Sequence, residues 1–513
     1  MGYRELILEL PTDYSEDDLL RKIRKEYGIN SFSYRIDNKS LDARHKNRIH
    51  WLVKVVVSSD EIKEGLANTT AELNIPYKKN KGKVIIAGSG PAGFFAAYVL
   101  QKAGFDTIIF ERGRDVRGRS RSILNFEKSG IFDPLGNYAF GEGGAGTFSD
   151  GKLTSRSKHI SLEKNFILNS YIQAGAPGEI AYMAHPHLGS DNLKNIVGNL
   201  RKKYEEAGGK ILFETLLEDI ELRNGSVRSA VSSSGIFEAD HFVFAPGHSS
   251  YETYRMLIRN GVLFRPKNFA LGSRMEHQQQ IINLAQWGRE SLPGIKAAEY
   301  RLTHNPPDKD PVYTFCMCPG GIVVPAAPYK DTNIVNGMSN YKRDLKFANA
   351  GCVAAVNPYE LFGKDVLPET VLEFMESLER KFYEYSGGYK APFCTIKDFI
   401  RKTEPVSIPV SSYPPGLKPA PLWNLLPIRV ADSMREGLIN FSRKIVRFDT
   451  GIIMGLESKT SAPIQAIREE DGRCIGFSNL YIAGEGSGYA GGIISSGADG
   501  IRIALKLIRQ ASL

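Results

Sequence analysis

Lys83-Val-Ile-Ile-Ala-Gly-Ser-Gly-Pro-Ala-Gly93, running on through Phe94-Phe-Ala-Ala-Tyr-Val-Leu-Gln-Lys-Ala-Gly104 to Thr107-Ile-Ile-Phe-Glu-Arg112, is the stretch whose reading decides the fold. Its apolar run ends on Gly88-x-Gly90-x-x-Gly93, so the glycines fall where a buried strand hands over to a helix. Gly88 permits the tight turn, Gly90 lets a pyrophosphate approach the backbone, and Gly93 lets the helix pack closely on the sheet. Pro91 suits a first helical turn because its missing N–H is not needed there, and Ala92 beside it is a further candidate for binding the dinucleotide. The helix over Phe94 to Ala103 stops at Gly104 and a second strand leads to Glu111. There a carboxylate can accept both hydroxyls of an adenosine ribose. The pattern predicts a βαβ dinucleotide site.

Outward from this unit, composition sets the bounds. A chain of 513 residues has length for two or three domains, and 42% hydrophobic with 24% charged residues are globular values. The net charge of +9 carries no dense Lys/Arg block, which favours an anionic cofactor or substrate over a nucleic-acid module. Five cysteines without a disulfide framework fit a reducing compartment. Met1-Gly-Tyr-Arg-Glu has charges where a signal peptide needs an apolar core, and no apolar run approaches the ~20 residues of a membrane span. The expected location is the cytoplasm.

Residues 1–80 precede the glycine turn as a small α+β domain. Leu6–Leu10 reads as a strand, Ser15 caps a helix over Asp17 to Tyr27, and His50 to Val57 reads as another strand, a β-α-β element. Lys39 to Lys46 is polar and basic, either a solvated loop or a docking surface for a partner or nucleic acid. Ile75 to Gly82 reads as a linker. Residues 81–265 form the first part of the nucleotide domain, 266–470 an inserted mixed β/α substrate domain, and 471–513 the closing part of the nucleotide domain. In the insertion, Val371, Met375, Leu378, Phe382 and Tyr385 predict one amphipathic helix, and the prolines between Pro405 and Pro427 predict an extended surface segment.

Past Glu111, the cationic run Arg112 to Arg121, with Arg112 and Arg119, is either surface charge or a set of partners for phosphate oxygens. Asn137 to Lys152 contains a second G-x-G-x-x-G, but no strand of useful length precedes it, which excludes a second nucleotide fold there. Its glycines, with Gly144, Ala145, Gly146, Thr147, Ser149 and Lys152, predict a backbone lying flat against a planar ligand and donating N–H groups to it. Asp240 to His248 is a buried strand breaking at Pro246-Gly247, a second close approach to the dinucleotide.

The far end points to the dinucleotide's identity. A strand over Asn479–Ala483 closes on Gly484-Glu485, and the turn through Gly491-Gly492 leads into a helix starting at Ile493. In flavoproteins with two dinucleotide folds the FAD fold ends in this order, the acidic residue holding the ribityl chain and the helix pointing its N-terminus at the pyrimidine edge of the flavin. Such a helix end stabilises charge on a reduced flavin by about 0.3–2 kcal/mol.

Together with Phe315-Cys-Met-Cys-Pro-Gly-Gly321 and Glu457-Ser-Lys-Thr-Ser-Ala-Pro463, these stretches resemble the predicted NAD(FAD)-utilising dehydrogenases, FAD-dependent proteins of glutathione-reductase type. That family is similar at a distance to geranylgeranyl reductases and to flavoproteins that reduce bile-acid enones. The resemblance implies an α/β chain with a glutathione-reductase-type FAD-binding Rossmann fold. It also implies an oxidoreductase passing hydride through the flavin, with NAD(P)H as transient donor and an unsaturated small molecule as acceptor. A flavin-dependent RNA-modifying enzyme and a non-catalytic flavin sensor are the alternatives.

For chemistry, Tyr489 in the last turn is a candidate proton donor. Cys316 and Cys318 are candidates too, but one intervening residue is short of the spacing of flavin-linked dithiols, and a regular strand would point both to one face. Packing near the flavin is their other reading, and no His/Cys cluster marks a metal site. His185, His187, His248, His277, Glu276 and Glu457 are weaker candidates.

Overall fold

The computed structural model describes residues 2–63, 71–79 and 81–511. Met1, and Asn80 of the expected linker, lie outside the described residues.

Five parallel strands form the nucleotide sheet: Lys83–Ala87, Asp106–Phe110, Lys210–Leu212, His241–Phe244 and Leu480–Ile482. Numbered along the chain, their order across the sheet is 3-2-1-4-5, the doubly wound order. The strand order reverses between the first strand and the fourth, and the crevice beyond their carboxyl ends is where such sheets take ligands. The Pro91–Lys102 helix and the final Gly492–Gln510 helix cover one face, packed so tightly that a Cβ on Gly500 would stand 2.1 Å from the Ala92 carbonyl oxygen. A three-stranded antiparallel sheet over Leu217–Glu238 precedes the fourth strand. The buried strand expected before Pro246-Gly247 spans His241–Phe244 and pairs parallel with Lys83–Ala87.

The chain leaves the nucleotide fold through Phe264–Pro266 and returns through Ile464–Ala466, and these two short strands pair antiparallel. Between them lies an eight-stranded sheet with Phe269–Gln278 near its centre, flanked by Phe347–Val356 and Ile452–Glu457. The amphipathic helix spans Pro368–Ser386 and buries Val371, Met375, Leu378 and Phe382 as its spacing predicts. The proline-rich segment divides in two. Val406 is fully exposed and Val410 largely so, whereas Leu417–Pro419 pairs parallel with Ala391–Thr395 as an edge strand.

The N-terminal domain corrects the expected β-α-β. Ser33–Asp42 is a third strand, giving an antiparallel sheet in which His50–Ser59 is central. Ser15 caps the Glu16–Tyr27 helix with a complete capping box to Asp18. Lys39 therefore stands on a strand, not in a solvated loop. Its N–H donates to the Tyr182 carbonyl at 2.8 Å, its carbonyl accepts from Ala184 at 2.9 Å, and its ammonium lies 4.5 Å from the Trp51 ring. Among the described residues no helix is long and apolar enough to cross a membrane.

Candidate functional site

Local sequence shapes the first wall of the cleft at the sheet's reversal point. The Gly88 N–H donates to Phe110 O at 2.8 Å, which draws the turn across two strands, and a Cβ on Gly93 would stand 1.9 Å from the Gly88 carbonyl oxygen. Glu111 is buried and accepts four hydrogen bonds: Ser89 N–H at 3.0 Å, Ser89 hydroxyl at 2.6 Å, Gly113 N–H at 2.8 Å and Gly141 N–H at 3.1 Å. It lines the cleft with Gly88, Gly90, Pro91, Ala92 and Arg112. Arg112 lies 3.9 Å over the Phe140 ring and pairs with Glu252.

The glycine-rich stretch is short helical turn and loop, with no strand before it, in keeping with the exclusion of a second nucleotide fold. Gly144, Ala145, Gly146 and Ser149 line the cleft. Thr147 faces away, its hydroxyl donating to Glu142 O at 3.1 Å. Arg119 is fully buried and donates to the carbonyls of Asn137 at 2.7 Å, Tyr138 at 2.8 Å, Glu142 at 3.0 Å and Gly144 at 2.7 Å. This corrects its reading as a phosphate partner. Arg119 is the clip that folds the glycine loop, and burial brings its guanidinium down to about 10.

Pro246, Gly247, Glu485, Gly492 and Ile493 complete this side of the cleft. Glu485 is pushed up to about 7 by burial, with Lys267 and the Gly492 N–H opposing the rise. Gly484 and Gly491 support the turn from behind: a Cβ on Gly484 would meet Ala92 Cβ at 2.4 Å, and Gly491 is the N-cap of the final helix. Neither that helix nor the Pro91–Lys102 helix has a side chain capping its N-terminus, so both offer backbone N–H groups to a ligand. Arg112 Nε is buried without a partner in the protein. These open donors, at two places on one cleft, fit a dinucleotide carrying a pyrophosphate near one helix and a polar ring edge near the other.

The opposite wall is shared between the insertion and the Asp150–Lys152 and His248–Tyr251 segments of the nucleotide part, and it is held by buried charge. Asp150 takes Arg343 in two bonds, at 3.1 and 2.6 Å, and the Lys152 ammonium at 3.2 Å; these partners keep its carboxyl well below the usual range against the pull of burial. Arg274 takes Glu457 in two bonds, at 2.7 and 3.1 Å, and donates to Asn349 Oδ1 at 2.7 Å. Lys459, on the cleft lining, pairs with Glu379 at 2.7 Å, while Tyr251 and Ser458 donate to the same carboxylate. Burial lowers Lys459, and His248 beside it falls to about 3 through burial and the Lys459 charge.

Of the chemical candidates, Cys316 lines the cleft, and Cys318 is fully buried behind it. The strand's register breaks between Phe315 and Cys318, with Cys316 at φ 43°, so a regular strand's common face does not apply. Tyr489 is corrected as well. It is 46% exposed, stacks under Arg468 at 3.9 Å, and lines an outer groove apart from the cleft. Glu276, His277 and Glu457 are buried in the insertion and do not line the cleft. His185 and His187 do not line it either. Asp150, Arg343, Arg274, Glu379 and Tyr251 were not readable as a site, because their partners lie far along the chain.

Residues 268–460 match a family described as FAD-dependent protein, C-terminal domain-like, and residues 86–143 match the NAD(P)-binding Rossmann-like domain. An uncharacterized protein of Clostridium beijerinckii is 37% identical over 542 residues, covering 100% of both chains. The chain belongs to the FAD-dependent protein family. Its cofactor is FAD, and the Rossmann-like match falls on the glycine turn. Among solved structures, this FAD-dependent protein is similar to a geranylgeranyl bacteriochlorophyll reductase-like protein of Thermoplasma acidophilum. The identity is 12%, 85% of this chain and 80% of that one are covered, and the TM-score is 0.37. It is similar also to CtdE in complex with FAD, at 11% identity, 84% and 86% coverage, and a TM-score of 0.32.

Proposed function

We propose that this FAD-dependent protein takes hydride from NAD(P)H and passes it to an unsaturated small-molecule substrate. When bound, FAD supplies the two-electron chemistry, accepting and delivering hydride at N5. The observation that carries the reading is one continuous cleft. It runs from the glycine turn past the final helix and ends where Lys459 and Cys316 of the insertion meet His248 and Lys152 of the nucleotide part.

In this reading Gly90 and Pro91 receive the pyrophosphate, Glu111 the adenosine ribose, and Glu485 the ribityl chain. Gly492 and Ile493 bring helix N–H groups to the pyrimidine edge. Gly144 to Ser149 lie along the ring, and Arg112 covers the adenine half. Lys459 is held by Glu379 but faces the cleft, and its charge suits polarising the carbonyl of an enone. His248 stays neutral at working pH, so it serves as a hydrogen-bond partner. The insertion wall keeps water from the reacting face.

The test is anaerobic mixing of the FAD-loaded protein with NADH or NADPH, followed by a panel of enones and quinones. Flavin absorbance should bleach with one nicotinamide and return with an enone. No bleaching with either overturns the reading.

A further inference from the structure

All five cysteines are free, and they fall into two kinds. Cys352, Cys394 and Cys474 are buried in packed cores, and burial pushes each thiol up. Cys316 and Cys318 stand instead where a long strand loses register twice. The Cys316 backbone lies at φ 43°, a conformation a side-chain-bearing residue adopts only when its surroundings impose it.

The surroundings are specific. Arg274 Nη1 donates to the Cys316 carbonyl at 3.2 Å, and the Lys152 ammonium donates to the Met317 carbonyl. The Cys318 thiol donates back to the Cys316 carbonyl at 3.4 Å. The buried Arg274 and the half-buried Lys152 thus hold a three-residue turn in which the Cys318 thiol reaches back to the Cys316 main chain. The outer one, Cys316, lines the cleft; the inner one, Cys318, has no exposed surface.

We propose that Cys316 and Cys318 are a redox-active dithiol that reduces a low-molecular-weight disulfide entering the cleft, with Cys316 attacking and Cys318 resolving. The hydrogen bond from Cys318 draws the Cys316 thiol down; burial opposes this, and Lys152 and Arg274 reinforce it. Cys318 is pushed up by the same contact and by burial, and Cys316, the one on the cleft, is the sulfur placed to attack.

The steps balance. The Cys316 thiolate attacks one sulfur of RS–SR, forming a mixed disulfide and expelling RS⁻. Cys318 then attacks Cys316 Sγ, closing the Cys316–Cys318 bond and releasing the second thiol with the proton Cys318 gives up. The substrate gains two electrons and one proton, and the pair loses the same. Reopening the bond takes those equivalents back from reduced FAD, and this regeneration alone rests on the hydride reading above.

The experiment mixes full-length FAD-loaded protein with 2,2′-dithiodipyridine, anaerobically and without nicotinamide, and follows released pyridine-thione together with intact mass. The expected result is fast release of two thiones per chain and a mass lower by two hydrogens, with peptide mapping placing the bond between Cys316 and Cys318. Cys318→Ser should stop at one thione and retain the pyridylthio adduct on Cys316. The proposal is overturned if the wild-type protein keeps an adduct on Cys316 without closing, or if the fast phase maps to Cys352, Cys394 or Cys474. Because nicotinamide is absent, failure here leaves the bleaching test to stand or fall by itself.

Discussion

The two walls of the cleft are built on opposite principles. On the nucleotide side the work is done by backbone: glycines, two uncapped helix N-termini and a carboxylate whose bonds are mostly to main-chain N–H groups. On the opposite side it is done by buried ion pairs, Arg274–Glu457 and Lys459–Glu379 within the insertion and Asp150–Arg343 joining the insertion to the nucleotide part. A backbone wall tolerates little added volume, because a new Cβ meets atoms that cannot step aside. A wall of paired charges tolerates new shapes but not a missing partner.

That contrast breaks first if a lone charge can be stranded without penalty. Glu457→Leu leaves Arg274 buried and unpaired and should cost about 3–5 kcal/mol, read by urea unfolding; the double change Arg274→Met with Glu457→Leu should recover most of it. Equal destabilisation of single and double variants would show that the pair holds shape and not charge. On the other wall, Gly93→Ala sets a methyl against the Gly88 carbonyl and should cost about 1–3 kcal/mol. The FAD dissociation constant should rise by roughly tenfold for each 1.4 kcal/mol taken from FAD binding.

Acid should weaken the fold through three histidines, two in the nucleotide part and one in the insertion. Burial holds His187 and His277 down to about 4 and His248 to about 3, below the ordinary 6.5. The folded protein keeps them neutral, so as pH falls the unfolded chain takes up protons first. Their stabilisation is complete above about 6.5 and is lost as pH drops through the folded values, at up to about 1.4 kcal/mol per pH unit for each ring. Melting temperature against pH should show this decline, and His277→Gln should flatten it. The smallest effect belongs to neither wall. Ser15→Ala removes the N-terminal cap at a cost of about 1 kcal/mol and should leave flavin content unchanged.

The same contrast explains what could be read from sequence. Gly88, Gly90, Gly93, Glu111 and the Gly484 to Ile493 turn act through local backbone, so their spacing carried the meaning. Asp150 and Arg343 are 193 residues apart and Arg274 and Glu457 are 183 apart; no local pattern announces such partners. Arg119 looked like a phosphate ligand because a run of cations does not reveal which of them turns inward. Tyr489 misled for a similar reason, since a position in a turn does not say which side of the turn faces the cleft. At Cys316 the sequence reads as an unbroken strand, and the two cations that bend it lie elsewhere in the chain.

The antiparallel ribbon of Phe264–Pro266 with Ile464–Ala466 has a further consequence. Entry and exit run side by side, tied by Lys267 N–H to Pro463 O and Ile467 N–H to Leu263 O, both at 2.9 Å. Topologically the insertion is a cartridge on a two-stranded stem. A short hairpin spliced at that stem would let the chain thread its five parallel strands in unchanged order, parting the sheet that carries the glycine turn from the eight-stranded sheet.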